Sequence, residues 1–242
     1  MVGKMLNIAH RGFRSKYPEN TMLAFEKAIE AGADGIEFDI HLTKDKEIVI
    51  IHDERVDRTT DSIGLVRDFN LNDLKKINAS NGFDYNVEVP TLREYFDFIK
   101  GKDIVTNIEL KNSIFWYEGM EEKLCSMIEE FNLKNNVILS SFNHKSLIKL
   151  KNIDKDYKCG ALVDSWILSP VDYLVKYGFE YYHPNAYGVD KELVDSLHEK
   201  GIGINVWYGR EFYNYEQMAI IGVDGIVTDY PDIINNLINK KY

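Results

Sequence analysis

Residues 35–52 have the sequence GIEFDIHLTKDKEIVIIH, which contains two strand-like segments separated by a short polar connection. Apolar and polar residues alternate along 35–42, the pattern of a β-strand, and 48–52 is a second apolar run. Parallel neighbours need a crossover of a dozen or more residues, so the connection at 43–46 is too short for them. The stretch therefore predicts a strand that continues into an antiparallel hairpin.

The two carboxylates of this strand, Glu37 and Asp39, lie two residues apart and so point to the same side. If the strand belongs to a barrel, that side is the interior, where two unpaired negative charges are costly. A divalent cation bound by their oxygens removes this cost; the alternative is an edge strand whose acidic side meets water. With the turn centred between Asp45 and Lys46, the sequence predicts that His52 folds back opposite Asp39.

Outside this hairpin, short apolar segments alternate with amphipathic helical patterns, the order expected of βαβ units around a parallel sheet. Eight strands in a chain of 242 residues predict closure into a (β/α)8 TIM barrel, an α/β fold, with residues 1–242 forming one catalytic domain. The predicted strands are 5–10, 34–40, 104–110, 136–141, 158–163, 180–183, 202–207 and 224–228. The predicted helices include 20–31, 117–131, 143–152, 170–177, 190–200, 212–221 and 231–240.

Residues 53–90 interrupt this alternation with turn-rich pieces and one short helical stretch at 72–78. An excursion of this length inside a barrel usually covers the active-site face. We therefore predict a small insertion between the second strand and the second helix, and that helix begins at Pro90-Thr91-Leu92.

The segment NIELK at residues 107–111 repeats the acidic pattern one strand later. In a barrel this strand is adjacent to the one that carries Glu37 and Asp39, so three carboxylates, with Glu109, can surround one ion. Lys111 lies nearer the C-terminal rim and would face an anionic substrate. The alternative is an internal Lys–Glu ion pair, which is less favoured because barrel enzymes keep their sites at the C-terminal ends of strands.

His10 ends the first strand and is followed by Arg11, whose planar guanidinium suits phosphate oxygens. A single histidine at a strand end is more often structural, but the hairpin returns His52 to the neighbourhood of Asp39. Two histidines beside a cation and a guanidinium form a phosphoryl-transfer site, with one base, one acid and positive charge for the phosphate. We therefore predict His10 and His52 as the catalytic pair.

The remaining candidate side chains have weaker signals. Trp207 ends the seventh strand, where it either walls a substrate pocket or fills the core. His183 ends the sixth strand, on the predicted rim and without a defined role. His41 is expected above the metal site, and His144 and His198 are expected on helix surfaces.

The composition limits the partners and the location. The formal net charge of −10 argues against nucleic acid, because phosphate backbones are bound by clustered Lys and Arg. No stretch approaches the length of a membrane span and no secretory signal precedes the first strand, so we expect no stable membrane insertion and a cytoplasmic location. Cys125 and Cys159 lie far apart in different kinds of segment, which predicts buried free thiols rather than a disulfide.

Taken together, the motifs closely resemble those of the glycerophosphodiester phosphodiesterase family, in order and along nearly the whole chain. The resemblance is carried by His10-Arg11-Gly12, Pro18-Glu19-Asn20-Thr21, Ala24-Phe25, Gly32-Ala33-Asp34, Glu37-Phe38-Asp39, Thr43-Lys44-Asp45, His52-Asp53, Arg58-Thr59-Thr60, Val89-Pro90-Thr91-Leu92, Glu109-Leu110-Lys111, Gly222-Val223-Asp224-Gly225 and Thr228-Asp229-Tyr230-Pro231. Two places depart from the family's pattern. Ser62 replaces a frequent glycine, and Tyr208-Gly209-Arg210 replaces the usual Thr-Val-Asn after Trp207, which bears on headgroup preference.

The resemblance implies a TIM-type barrel with a small insertion, acting on a small glycerophosphodiester. The implied ligands of Ca2+ or Mg2+ are Glu37, Asp39 and Glu109, the implied acid/base pair is His10 and His52, and the implied phosphate contacts are Arg11 and Lys111. The expected products are glycerol 3-phosphate and an alcohol such as choline or ethanolamine. Two alternatives stay open: a lysophospholipase D-like activity, which would favour an exposed apolar rim, and an inactive barrel that only binds a phosphorylated ligand.

Overall fold

The computed structural model describes residues 5–208 and 214–239, along which strands and helices alternate. The strands are β1 Leu6–His10, β2 Gly35–Leu42, β3 Ile48–Ile50, β4 Val105–Leu110, β5 Val137–Ser141, β6 Cys159–Val163, β7 Tyr181–Pro184, β8 Gly203–Val206 and β9 Gly225–Thr228. The α-helices are α1 Met22–Glu30, α2 Leu71–Leu74, α3 Leu92–Ile99, α4 Met120–Phe131, α5 His144–Ile153, α6 Pro170–Tyr177, α7 Lys191–His198, α8 Tyr215–Ile221 and α9 Pro231–Asn239. Within the described ranges, no helix is both long enough and apolar enough to cross a membrane.

All strands except β3 form a closed parallel barrel, and each barrel strand is followed by a helix. The strand β1 closes the barrel, because it pairs with β2 on one side and with β9 on the other. The TIM barrel predicted from the sequence is therefore confirmed. The predicted start of α8 at 212–213 and the predicted end of α9 at 240 lie outside the described residues.

The pairing of neighbouring strands brings the acidic residues to one place in the barrel. Asp39 of β2 pairs with Glu109 of β4, and His10 of β1 pairs with Glu37 of β2. His10, Asp39 and Glu109 come from the C-terminal halves of their strands, the half at which barrel enzymes build their sites, and Glu37 lies beside His10.

The hairpin formed by β2 and β3 is antiparallel, as predicted, but its register differs from the prediction by one residue. Ile40 pairs with Ile50, which places Ile51 rather than His52 opposite Asp39. The N–H of Ile51 accordingly donates to the Asp39 carbonyl at 3.1 Å. The predicted register was therefore wrong by one position.

The turn explains this shift. Thr43 and Glu47 pair across it, since the Thr43 N–H donates to the Glu47 carbonyl at 3.0 Å. The loop between them ends on Lys46, which has a φ of 66°. A turn that ends on one left-handed residue is a common odd-numbered hairpin connection. The loop 44–46 is therefore centred on Asp45 rather than between Asp45 and Lys46, and this shifts the pairing of the two strands by one residue.

The insertion between β3 and α3 is confirmed and packs around an apolar cluster of its own. This cluster is separate from the main core between the barrel and its outer helices. The helix predicted at 72–78 is shorter, at Leu71–Leu74, and α3 begins after the N-cap Thr91, as predicted. The insertion cluster consists of Val49, Ile51, Val56, Val66, Leu74, Ile77, Ala79 and Val89.

The two cysteines behave as the sequence predicts. Cys125 in α4 and Cys159 in β6 are both buried and both free. Burial raises the pKa of the Cys125 thiol to about 11 and that of Cys159 to about 12. Both side chains therefore act as small apolar residues of the core.

A tight turn directly after β1 carries the chain from His10 to α1. Arg11 and Gly12 both adopt left-handed conformations, with φ of 54° and 77°. The turn packs on the start of α1, because the Phe13 N–H donates to the Ala24 carbonyl at 3.0 Å. A Cβ on Gly12 would lie 2.7 Å from the Ala24 carbonyl carbon, so only glycine fits this approach.

The substitution Gly12→Ala tests this close approach, and Gly101→Ala is its matched control. Gly101 has a similar φ of 78°, but a Cβ there would meet no atom within 4 Å. Both variants should lose about 1–2 kcal/mol of unfolding free energy because of the left-handed backbone. Gly12→Ala should lose roughly 1–3 kcal/mol more from overpacking against backbone, measured by urea denaturation. Equal losses in the two variants would contradict the packing argument.

Candidate active site

The C-terminal edge of the barrel brings three acidic side chains together in the protein interior. Glu37 and Asp39 of β2 and Glu109 of β4 are all buried. Each offers one oxygen, and these oxygens lie within 4.8 Å of one another. We call this cluster the carboxylate triad.

The triad has the oxygens and the geometry that suit a divalent cation. Two of its oxygens are fixed by neighbours: Asn20 Nδ2 donates to Asp39 Oδ2 at 2.9 Å, and the Arg11 N–H donates to Glu37 Oε2 at 3.1 Å. Asp39 Oδ1, in contrast, is buried and accepts no hydrogen bond from the described residues. Buried carboxylate oxygens that converge in this way are the donors that hard divalent cations prefer.

Burial and mutual repulsion perturb the three carboxyl groups strongly. Burial, together with the charges of Asp39 and Glu109, raises the pKa of Glu37 well above its ordinary value. Burial and Asp39 also raise the pKa of Glu109. Burial alone would raise the pKa of Asp39, but the positive charges of His52 and Arg11 hold it below its ordinary range. Adjacent carboxylates cannot all stay ionised without added positive charge, which a bound cation would supply.

His10 reaches the triad with its ring held by an aspartate. Its Nδ1 lies 2.7 Å from Oδ1 of Asp229, which directly follows β9. Its Nε2 lies 4.0 Å from Glu37 Oε2. Burial, and then the charge of Arg11, lowers the pKa of His10, although the hydrogen bond to Asp229 opposes that shift. The pairing with Asp229 leaves Nε2 as the nitrogen that faces the site.

His52 is held in the same way from the other side. Its Nδ1 lies 2.6 Å from Oδ1 of Asp53, and its Nε2 lies 3.3 Å from Lys111 Nζ. The hairpin strand ends at Ile50, so the chain leaves the sheet before His52. The backbone there is fixed by His41, whose Nε2 lies 3.1 Å from the His52 carbonyl oxygen. Both predicted histidines thus present Nε2 toward the triad region.

The two predicted phosphate contacts, Arg11 and Lys111, are engaged by carboxylates. Arg11 Nη1 lies 2.8 Å from Glu19 Oε1, and its Nε lies 3.5 Å from Asp39 Oδ2. Lys111 Nζ lies 3.0 Å from Glu109 Oε1. The internal Lys–Glu pair that the sequence left open is therefore present, alongside the acidic cluster rather than in place of it.

A cavity of about 200 Å³ opens at this edge, and its lining falls into two chemical groups. Trp207 belongs to the apolar group, where its ring meets Phe142 edge-to-face at 5.8 Å between centroids. The Trp207 indole N–H donates to the His183 carbonyl at 3.1 Å. The apolar lining is Phe142, Leu162, Trp207, Tyr208 and Val227; the polar lining is His10, Arg11, Arg14, Glu37, His52, Asn107, Glu109 and His183.

Sequence reasoning missed the residues that hold the histidines and Arg11. Asp53, Asp229 and Glu19 all occur in the quoted motifs, but no role followed from their spacing. Of the three, only Asp53 could have been found from the sequence, because it directly follows His52. Glu19 also pairs with Arg58 of the insertion, at 2.8 Å, and its pKa is lowered to about 2 because the hydrogen bond with Arg58 and the charge of Arg11 outweigh its burial.

The secondary candidates have mixed outcomes. His198 is exposed on α7, as predicted, whereas His144 is half-buried and its Nε2 lies 2.9 Å from the Leu162 carbonyl oxygen. His183 is buried inside the barrel and lines the cavity, so its placement on the rim was wrong. The strand β7 continues through His183 to Pro184, and the pleat turns this side chain inward. Of the departing residues after Trp207, Gly209 and Arg210 lie outside the described residues.

A closed (β/α)8 barrel with a carboxylate triad and two aspartate-held histidines at its C-terminal edge defines an enzyme of the phosphoryl-transfer class. Residues 10–233 match the model of the glycerophosphoryl diester phosphodiesterase family. The chain therefore belongs to this family, and the predicted enzyme class is confirmed.

Named relatives support the same assignment over the whole chain. A glycerophosphodiester phosphodiesterase of Caldanaerobacter subterraneus subsp. tengcongensis is 42% identical, over 98% of this chain and 99% of its own. One of Bacillus altitudinis is also 42% identical, over 93% and 94% respectively. The solved structure of an Oleispira antarctica phosphodiesterase in complex with the product sn-glycerol-3-phosphate has a TM-score of 0.82 and 28% identity, covering 96% of each chain.

Proposed function

We propose that this protein hydrolyses glycerophosphodiesters, such as glycerophosphocholine and glycerophosphoethanolamine, to sn-glycerol 3-phosphate and a free alcohol. The observation that carries the proposal is the carboxylate triad flanked by two histidines, each held at Nδ1 by an aspartate. The product bound by the Oleispira antarctica neighbour supports the same chemistry on this scaffold. The cytoplasmic location expected from the sequence remains a prediction.

The proposed cation is Ca2+ or Mg2+, held by Glu37, Asp39 and Glu109. When bound, it would draw negative charge from the phosphodiester oxygens and strengthen their attraction to the site. Asn20 keeps Asp39 oriented from its second oxygen, and the Arg11 N–H does the same for Glu37. These contacts fix the ligand oxygens in advance, which lowers the cost of ordering them on binding.

His10 and His52 act in this proposal as general acid and base. Asp229 and Asp53 accept a hydrogen bond from Nδ1 of each ring, so proton transfer runs through Nε2. One Nε2 removes a proton from the nucleophile and the other gives a proton to the departing alcohol oxygen. Water serves as the nucleophile directly, or the glycerol 2-hydroxyl serves first and water opens the resulting cyclic phosphate.

Arg11 and Lys111 supply positive charge to the phosphate, and Trp207 bounds the pocket. Both cations are paired with carboxylates, so phosphate oxygens would share them with Glu19 and Glu109 rather than meet a free side chain. Partial charge sharing still favours an anionic substrate over a neutral one in a buried site.

The substitutions His10→Ala and His52→Ala should each lower kcat on glycerophosphoethanolamine by about 10²–10⁴-fold, because each removes one general acid or base. His198→Ala, on the exposed surface of α7, is the matched control and should retain full activity. Both active-site variants should still bind the cation, as measured by calorimetry. Near-normal turnover in either histidine variant would remove that residue from the proposed pair.

Chelation tests the metal. Glycerol 3-phosphate release from glycerophosphocholine and glycerophosphoethanolamine should stop after dialysis against EDTA, because the triad is left without its compensating charge. Added Ca2+ or Mg2+ should restore it, and the ion that restores more activity identifies the better fit. Full activity in protein shown by elemental analysis to be metal-free would reject the cation.

A second candidate function, lysophospholipase D-like hydrolysis, is favoured by exposed apolar residues near the cavity. They lie on the three successive loops that follow β4, β5 and β6, at the edge where the cavity opens. Phe142 lines both the cavity and an open groove beside it that also contains Trp116. We call these residues the apolar rim: Ile114, Trp116, Phe142, Trp166, Ile167 and Leu168.

A comparison of substrates with and without an acyl chain separates the two candidates. If the apolar rim contacts a chain, kcat/KM should rise along short-chain lysophosphatidylcholines, and Leu168→Asp should lower that rise by roughly fivefold through lost apolar contact. Ile220→Asp changes an equally apolar exposed residue on α8 and should have no effect. Activity on glycerophosphocholine alone, without any gain from a chain, would exclude the second candidate.

A further inference from the structure

Two polar side chains deep in the cavity have atoms without a partner. His183 of β7 and Asn107 of β4 line the cavity and are only 1% and 2% exposed. Neither His183 Nδ1 nor Asn107 Oδ1 has a hydrogen-bond partner among the described residues. Buried polar atoms in folded proteins are nearly always paired, so two such atoms in one cavity indicate groups kept for something that enters it.

The protonation state of His183 follows from its surroundings. Burial lowers its pKa to about 3, so the ring is neutral near pH 7. The amide nitrogen Nδ2 of Asn205 lies 3.2 Å from His183 Nε2 and donates to it. A neutral imidazole carries one proton, and because Nε2 accepts, that proton lies on Nδ1. The unpartnered atom of His183 is therefore a donor, whereas that of Asn107 is an acceptor.

Glycines on the two flanking strands leave room for this arrangement. A Cβ on Gly160 of β6 would lie 2.5 Å from His183 Cε1. A Cβ on Gly225 of β9 would lie 2.4 Å from Asn205 Oδ1. Any larger residue at either position would displace the His183–Asn205 pair, so the barrel interior is built around it.

One buried donor and one buried acceptor suit a hydroxyl group. A hydroxyl both donates and accepts, whereas a carboxylate or phosphate only accepts and an ammonium only donates. The side chains of the reacting histidines His10 and His52 are 22% and 28% exposed, so His183 and Asn107 are more deeply buried than the two groups proposed to transfer protons. A hydroxyl bound between them would therefore be one that lies away from the reacting oxygens.

We propose that the His183 Nδ1–H and Asn107 Oδ1 form a subsite for the terminal hydroxyl of the substrate's glycerol moiety. This inference rests on the proposed glycerophosphodiester hydrolysis and identifies residues that select the glycerol end of the substrate. The 2-hydroxyl lies one carbon nearer the phosphate, beside the reacting histidines. Both side chains are binding residues, and neither takes part in proton transfer.

The substrate itself provides the first test, on the cation-loaded enzyme. Glycerophosphoethanolamine is compared with two analogues, one without the terminal hydroxyl and one without the 2-hydroxyl but with the terminal one. Loss of the terminal hydroxyl leaves the buried donor and acceptor unpaired, so kcat/KM should fall by about 10- to 100-fold. Equal kcat/KM for the parent substrate and the terminal-deoxy analogue would overturn the proposal whatever the variants do.

Enzyme variants, each assayed on the parent substrate and on the terminal-deoxy analogue, then complete a double-mutant cycle. His183→Phe keeps a ring of similar shape without the donor, and it should lower kcat/KM on the parent substrate by about the same factor while changing it little on the terminal-deoxy analogue. Asn107→Leu tests the acceptor in the same way and serves if His183→Phe does not fold. Tyr182→Phe, buried on the other side of β7, is the matched control and should leave the ratio between substrates unchanged.

The outcomes separate this inference from the proposed function. Equal losses on the parent and terminal-deoxy substrates in both His183→Phe and Asn107→Leu would mean a merely structural role and would overturn the subsite. A wild-type preference that depends on the 2-hydroxyl alone would also overturn it. Failure of the wild type to release glycerol 3-phosphate from the parent substrate would instead reject the proposed function.

Discussion

Buried negative charge at the C-terminal edge of the barrel is the constraint on which the rest of this structure depends. Glu37, Asp39 and Glu109 converge within 4.8 Å in the interior, where their repulsion is weakly screened. Arg11 and Lys111 approach from two sides and offset part of that charge. Without a further cation the three carboxyl groups cannot all be ionised, so their charge state depends on the binding of such an ion.

The insertion contributes to the same balance of charges. Arg58 of the insertion pairs with Glu19, and Glu19 in turn pairs with Arg11 beside Asp39. The guanidinium of Arg58 also donates from Nε to Asp53 Oδ2 at 2.7 Å, and Asp53 holds His52. A segment with its own apolar cluster is thereby connected through ion pairs to both the triad and one histidine. Its covering position above the site remains a prediction, and its electrostatic link to the site runs through Glu19 and Asp53.

The periodicity of the sequence is enough to predict the barrel and the carboxylate triad. It does not predict which residues hydrogen-bond to the histidines when that contact depends on closure of the barrel. Alternation along β2 and β4 predicts which side chains face inward, and the adjacency of these two strands in a barrel then predicts that Glu109 lies beside Glu37 and Asp39. The pairing of His10 with Asp229 joins residues 219 positions apart and exists only because β1 pairs with β9. The prediction of the hairpin register was wrong for a more local reason. Lys46 adopts a left-handed conformation, and the turn contains no glycine from which such a conformation could be predicted.

Polar groups can occupy the interior of the barrel because the apolar packing that stabilises the fold lies outside it, between the strands and the helices. A large apolar cluster lies between the strands and the outer helices; Phe38 of β2, for example, packs edge-on against Tyr95 of α3 at 4.5 Å between centroids. Inside the barrel, Gly160 and Gly225 give up side-chain packing so that His183 and Asn205 can be accommodated. A core selected for stability alone would place aliphatic residues at these positions, since they would gain apolar burial and leave no polar atom unpaired. Retaining the polar pair at that cost is consistent with the hydroxyl subsite proposed for His183 and Asn107.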